Sequence, residues 1–108
     1  MTMANKIYLG NAFSLQMVSG DVTVNIKTVD AAEVANTEFT YCIGHADTAT
    51  VVSNLLGGKE VKCNRVNVTL EPGDILYVAQ VMGGRLPEGA TTLPEGITIV
   101  FKRVEILE

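Results

Sequence analysis

Apolar residues change their spacing several times along this chain, and each change predicts an element. Residues 6–10 are a β-branched and aromatic run ended by Gly10, which predicts a strand. Residues 11–18 shift to helix-like spacing and predict a turn and a short helix before Ser19 and Gly20. From 21 to 29, Val22, Val24 and Ile26 alternate with Thr23, Asn25 and Lys27, the signature of a half-exposed strand. Asp30 followed by Glu33 reads as a capping box that opens a short helix ending near Asn36. Residues 38–43 regain β character. From Thr48 the apolar positions Val51, Val52, Leu55 and Leu56 mark one buried helical face, and Gly57 stops the run.

The second half carries longer strand signals. Alternation of Val66, Val68 and Leu70 predicts a strand, the turn 71–74 has Pro72 and Gly73 at its centre, and 75–82 is a nearly continuous apolar run. Those two strands are expected to form a hairpin. The run 75–82 reads as central and buried on both faces, so Gln80 within it is a polar group that needs a partner. Residues 83–96 hold four glycines and two prolines without periodicity and predict a long loop, of the kind that is functional or mobile. Residues 97–107 close the chain as a strand. The pattern predicts an α/β (α+β) fold: one domain over residues 1–108, a mixed β-sheet of about five strands, and short helices flanking it.

Composition narrows the function. A chain of 108 residues with 47% hydrophobic content builds one core. No window of 18 apolar residues and no charged-then-apolar leader occurs, so neither membrane nor secretion is indicated, and a cytoplasmic protein of a bacterial, archaeal or infected host cell is expected. Cys42 and Cys63 lack CxxC or Cys/His ligand spacing, which speaks against zinc and for buried free thiols. Cys42 precedes His45 by three residues, but on a strand the two side chains point to opposite faces, so a cysteine nucleophile is set aside. The net charge of −4 argues against a protein that coats long DNA or RNA, and leaves room for a small anionic ligand in one local pocket.

The candidate chemistry centres on the single histidine. His45 follows a strand and precedes a helix, where first-turn N–H groups and the helix dipole favour an anion beside an imidazole able to carry a proton. A histidine at a helix start is commonly structural, so its neighbours matter. Asn11 and Ser14 lie just past the first strand, at the strand ends where open α/β sheets bind ligands. Turn and cap roles suit the same two residues. Arg65 and Arg85 fall at strand ends or loops, and Arg85 and Glu88 share the long loop, where a solvated surface pair is the ordinary alternative.

Five segments in order, residues 8–14 (YLGNAFS), 43–45 (IGH, with Thr48 beyond), 64–66 (NRV), 76–80 (LYVAQ) and 85–89 (RLPEG), resemble the viral-type ring nucleases. These are anti-CRISPR enzymes of type III systems, with bacterial relatives, that degrade cyclic tetra-adenylate. The resemblance implies that His45 is the catalytic acid, that Arg85 and Glu88 support catalysis, and that Asn11, Ser14, Thr48, Arg65 and Gln80 contact the cyclic nucleotide. It implies no metal and no cofactor, since RNA supplies its own 2′-OH nucleophile. Asp47 stands where a small neutral residue can occur, and its charge would repel a phosphate, so it is left out of the binding set; Gln16 is a second departure from the pattern. A four-fold symmetric ring suits two identical protein patches, so a homodimer with the ligand on its axis is expected. The competing expectation is a non-catalytic sensor or sponge that binds cyclic oligoadenylate without cutting it; the acidic balance disfavours a DNA-associated regulator.

Overall fold

The computed structural model describes residues 6–64, 66–87 and 89–107, so two of the candidate residues, Arg65 and Glu88, lie outside the described residues. Five strands form one mixed sheet: β1 (Ile7–Gly10), β2 (Val24–Val29), β3 (Thr40–Tyr41), β4 (Ile75–Met82) and β5 (Thr98–Ile106). Their order across the sheet is β2-β5-β4-β1-β3. β1 runs parallel to both of its neighbours, pairing Tyr8 with Thr40 on one side and Tyr8 with Leu76 on the other. β5 is antiparallel to β4 and β2. The expected α+β class and mixed five-stranded sheet are observed.

Period-two alternation splits the sheet into two apolar faces. Leu9, Tyr77, Ala79 and Phe101 face helices α1 (Ala31–Ala35) and α2 (Ala46–Leu55), where they pack with Val34, Ala49 and Val52. Leu76, Val78, Val104 and Ile106 point the other way, and Phe13, Met17, Val22, Val68 and Leu70 cover part of that second face. Burial runs through Leu76–Ala79 at the middle of β4 and stops at Gln80, which is exposed. The buried amide expected there is therefore a surface one, because β4 extends beyond its cover.

Three elements depart from the pattern in the sequence, each because the backbone bonds elsewhere. Instead of a helix over 11–18 there is one 3₁₀ turn, Leu15–Met17; the Met17 carbonyl accepts from Leu70 N–H at 2.6 Å and is unavailable to a longer helix. Residues 66–70 form no strand. Leu70 and Val68 still point at the second face, so the alternation reported side-chain placement without sheet pairing. The hairpin is absent because β4 takes β1 and β5 as neighbours. Over 38–43, only Thr40–Tyr41 is strand, followed by a single parallel bridge between Ile43 and Cys63.

The short α1 is held by its ends and by charge. Asp30 caps it, its Oδ1 accepting from Glu33 N–H at 2.9 Å, which is half of the expected capping box. The Glu33 carboxylate turns to the sheet instead, where Oε2 accepts from Tyr77 Oη–H at 2.9 Å and from Arg103 at 2.6 Å. Lys59 donates to the Ala35 carbonyl at the other end, with its ammonium 4.8 Å from the Phe39 ring. Glu33→Ala removes the shared acceptor of the buried Tyr77 and the half-buried Arg103 and should cost about 1–3 kcal/mol. Urea midpoints measured beside Asp30→Ala, a cap loss of about 1 kcal/mol, check the magnitude.

Candidate functional site

Parallel pairing sends β1, β3 and β4 in one direction, so the chain leaves all three at the same edge of the sheet. Asn11 follows β1, the segment 42–45 follows β3, and the loop bearing Arg85 follows β4. Gly10 permits the close approach: a Cβ there would meet Cys42 Sγ at 2.9 Å. Next in line, Asn11 Oδ1 accepts a long 3.5 Å bond from Gly44 N–H, immediately before His45.

His45 is the N-cap of α2 with extended backbone angles, φ −129° and ψ 125°, and its ring makes no capping hydrogen bond. Its carbonyl accepts from Ala49 N–H at 3.0 Å, which starts the helix one residue later. The imidazole is exposed and lines a cavity of about 550 Å³ together with Asn11, Thr48, Gln80 and Arg85. Thr48 sits in the first turn of α2 and lines the cavity with only 7% of its surface exposed. Five of the eight candidate residues thus meet in one concavity. Ser14 is not among its lining residues; its Oγ accepts from Gln16 N–H at 3.3 Å and caps the 3₁₀ turn. Arg65 and Glu88 are outside the described residues.

Asp47 also lines this cavity, and its carboxylate has a partner of its own. Its Oδ2 accepts from Gly89 N–H at 3.0 Å, and two turns along α2 the Asn54 amide donates to the Thr91 carbonyl. The loop is pinched at its neck as well. Gly83 has φ +92°, and a Cβ there would overlap the Gly96 carbonyl oxygen. A glycine neck and two side-chain ties on α2 therefore hold the segment that carries Arg85 over the cavity.

The thiols have different fates. Cys42 is half-buried and burial pushes its thiol up to about 11, so it remains protonated at neutral pH and is no nucleophile. Cys63 is exposed, which corrects the expectation that both are buried: the bridge at Ile43 places residue 63 outside the second-face core. Among the described residues no group of three His, Cys, Asp or Glu side chains could hold a metal ion, and no helix is long and apolar enough to cross a membrane.

Residues 7–102 match the STIV B116-like family. The chain belongs to the STIV B116-like family. Among solved structures of similar fold is B116 of Sulfolobus turreted icosahedral virus, with a TM-score of 0.75 and 26% sequence identity, covering 94% of this chain and 99% of that one. The family description is that of a viral protein. No curated protein matches the chain. The matched range spans β1 to the middle of β5, so the converging strand ends, His45 and the loop of Arg85 all fall within the STIV B116-like region.

If Asp47 ties the loop, Asp47→Ala should raise the deuterium uptake rate of a peptide spanning 86–92 about two- to tenfold, the effect of one hydrogen bond. Asp47→Asn keeps an acceptor oxygen and should leave uptake near that of the parent. Equal uptake in the alanine variant and the parent would show that the loop is held by other contacts.

Proposed function

We propose that the chain is a ring nuclease that opens cyclic tetra-adenylate. The observation that carries this reading is the meeting of His45, Arg85 and Thr48 in one cavity at a helix start, with the amides of Asn11 and Gln80 on the same wall. An uncapped first turn attracts a phosphate, Arg85 adds a fixed positive charge, and His45 can give a proton.

Cleavage then uses the RNA's own hydroxyl. The 2′-oxygen attacks the adjacent phosphorus, the bond from phosphorus to the 5′-oxygen breaks, the 2′-OH proton passes to solvent, and His45 as imidazolium protonates the departing oxygen. Arg85 faces the charge that grows on the non-bridging oxygens, and Glu88 would orient that end of the phosphate. The products are linear oligoadenylates ending in 2′,3′-cyclic phosphate, with no metal required for the chemistry. Two copies of the chain about a two-fold axis would set a His45 at each of two opposite linkages of the ring. Such an activity would switch off the antiviral response that the messenger sustains.

His45→Ala should lower the cleavage rate by about 10²–10⁴-fold, the range of a general acid, while binding of cyclic tetra-adenylate persists. Parent-like turnover in that variant removes the mechanism. Tight binding by the parent with no cleavage would make the chain a sponge.

A further inference from the structure

A second cavity, of about 370 Å³, opens on the sheet face opposite the helices and shares Asn11 and Gln80 with the first. Its floor is set by strand register. Ile26 on β2 pairs with Val104 on β5, and in the next row Lys102 pairs with Val78 on β4. All four line the cavity, and Phe13, partly packed on the core beneath, makes its side wall. Lys102 Nζ is drawn aside to Thr28 Oγ1 at 3.0 Å, so the aliphatic stem of the lysine lies along the floor. The second-face cover ends before this point, leaving Ile26 with 53% of its surface exposed.

We propose that this apolar cavity is a purine-base subsite, taking the adenine of the nucleotide whose phosphate lies beside His45. The proposal rests on the phosphodiester reading of the polar cavity and says where the rest of that nucleotide goes. A floor spanning three strands is flat and about 10 Å across, a shape that suits a fused heterocycle and gives poor contact to a branched aliphatic group. An aromatic wall adds stacking or edge contact. The two residues shared by both cavities are carboxamides, each with an acceptor and a donor side by side, the pair that an adenine edge presents in reverse through N6 and its neighbouring ring nitrogen. A nucleotide bound across them has its charged group among His45, Thr48 and Arg85, its base edge on Asn11 and Gln80, and its ring face on Val78 and Val104. Guanine offers an oxygen acceptor where adenine has its amine, so the amides would have to reorient to hold it.

Methyl and amide NMR on His45→Ala protein, which leaves the ring intact, tests the assignment. Adding cyclic tetra-adenylate should shift the methyls of Ile26, Val78 and Val104 through the base's ring current, together with the amides of Thr48 and Gly84. Movement at Thr48 and Gly84 alone overturns the base subsite and leaves the phosphate site standing; no movement at either set removes both. Ile26→Trp, placed at an exposed position, should fill the slot and weaken binding by at least about tenfold at unchanged elution volume. Parent-like affinity overturns the proposal, as does loss of a dimer in that variant, which would give the cavity to a second copy of the chain.

Discussion

The arrangement depends on the pairing of β1 with two parallel neighbours. A parallel ladder aligns strand ends of the same polarity at one edge, so three segments distant in sequence leave the sheet side by side at Asn11, Gly44 and Gly83. Open sheets place ligands beyond such ends. Here the same edge also receives the start of α2, whose N-cap residue His45 makes no side-chain capping bond. Catalytic candidates that share no local motif are thereby brought into one concavity.

Much of this was legible in the pattern of residues. Alternation marked β2, a nearly continuous apolar run marked β4 and the closing apolar stretch marked β5. The spacing from Thr48 marked a buried helical face after His45, on which Val51, Val52 and Leu56 are buried while Leu55, expected with them, is turned out with 38% of its surface exposed. What escaped was long-range pairing. Val66, Val68 and Leu70 alternate as a strand does, yet Leu70 spends its N–H on Met17, and Val68 and Leu70 pack on the second face without joining the sheet, while Val66 is exposed. Gln80 was visible as a polar interruption, but its exposure depends on where the covering segment ends, which no local window encodes. The role of Asp47 escaped for a similar reason: its partner, the Gly89 amide 42 residues later, comes into view only in the fold.

The site divides its labour by polarity. One cavity gathers His45, Arg85 and the largely buried Thr48; the other is floored by Ile26, Val78, Val104 and the Lys102 stem; and Asn11 and Gln80 line both. The proposed anion site is compatible with a net charge of −4, because the favourable field at the helix start and Arg85 is local. The glycine neck at Gly83 and Gly96 lets the loop fold back close enough for Asp47 and Asn54 to hold it. Position, charge and shape are thus supplied by separate parts of the chain that meet at one sheet edge.

The proposed cleavage by the ring's own hydroxyl makes a demand on the product that no hydrolytic route meets. Cyclic tetra-adenylate incubated with the protein and EDTA in heavy-oxygen water, with the first products analysed by mass spectrometry, reads it directly. The expected products are linear species with the mass of the whole ring or of half of it, carrying 2′,3′-cyclic phosphate and no heavy oxygen. An intact ring, or first products that have gained a heavy-oxygen water or bear 5′-phosphate ends, would contradict the mechanism.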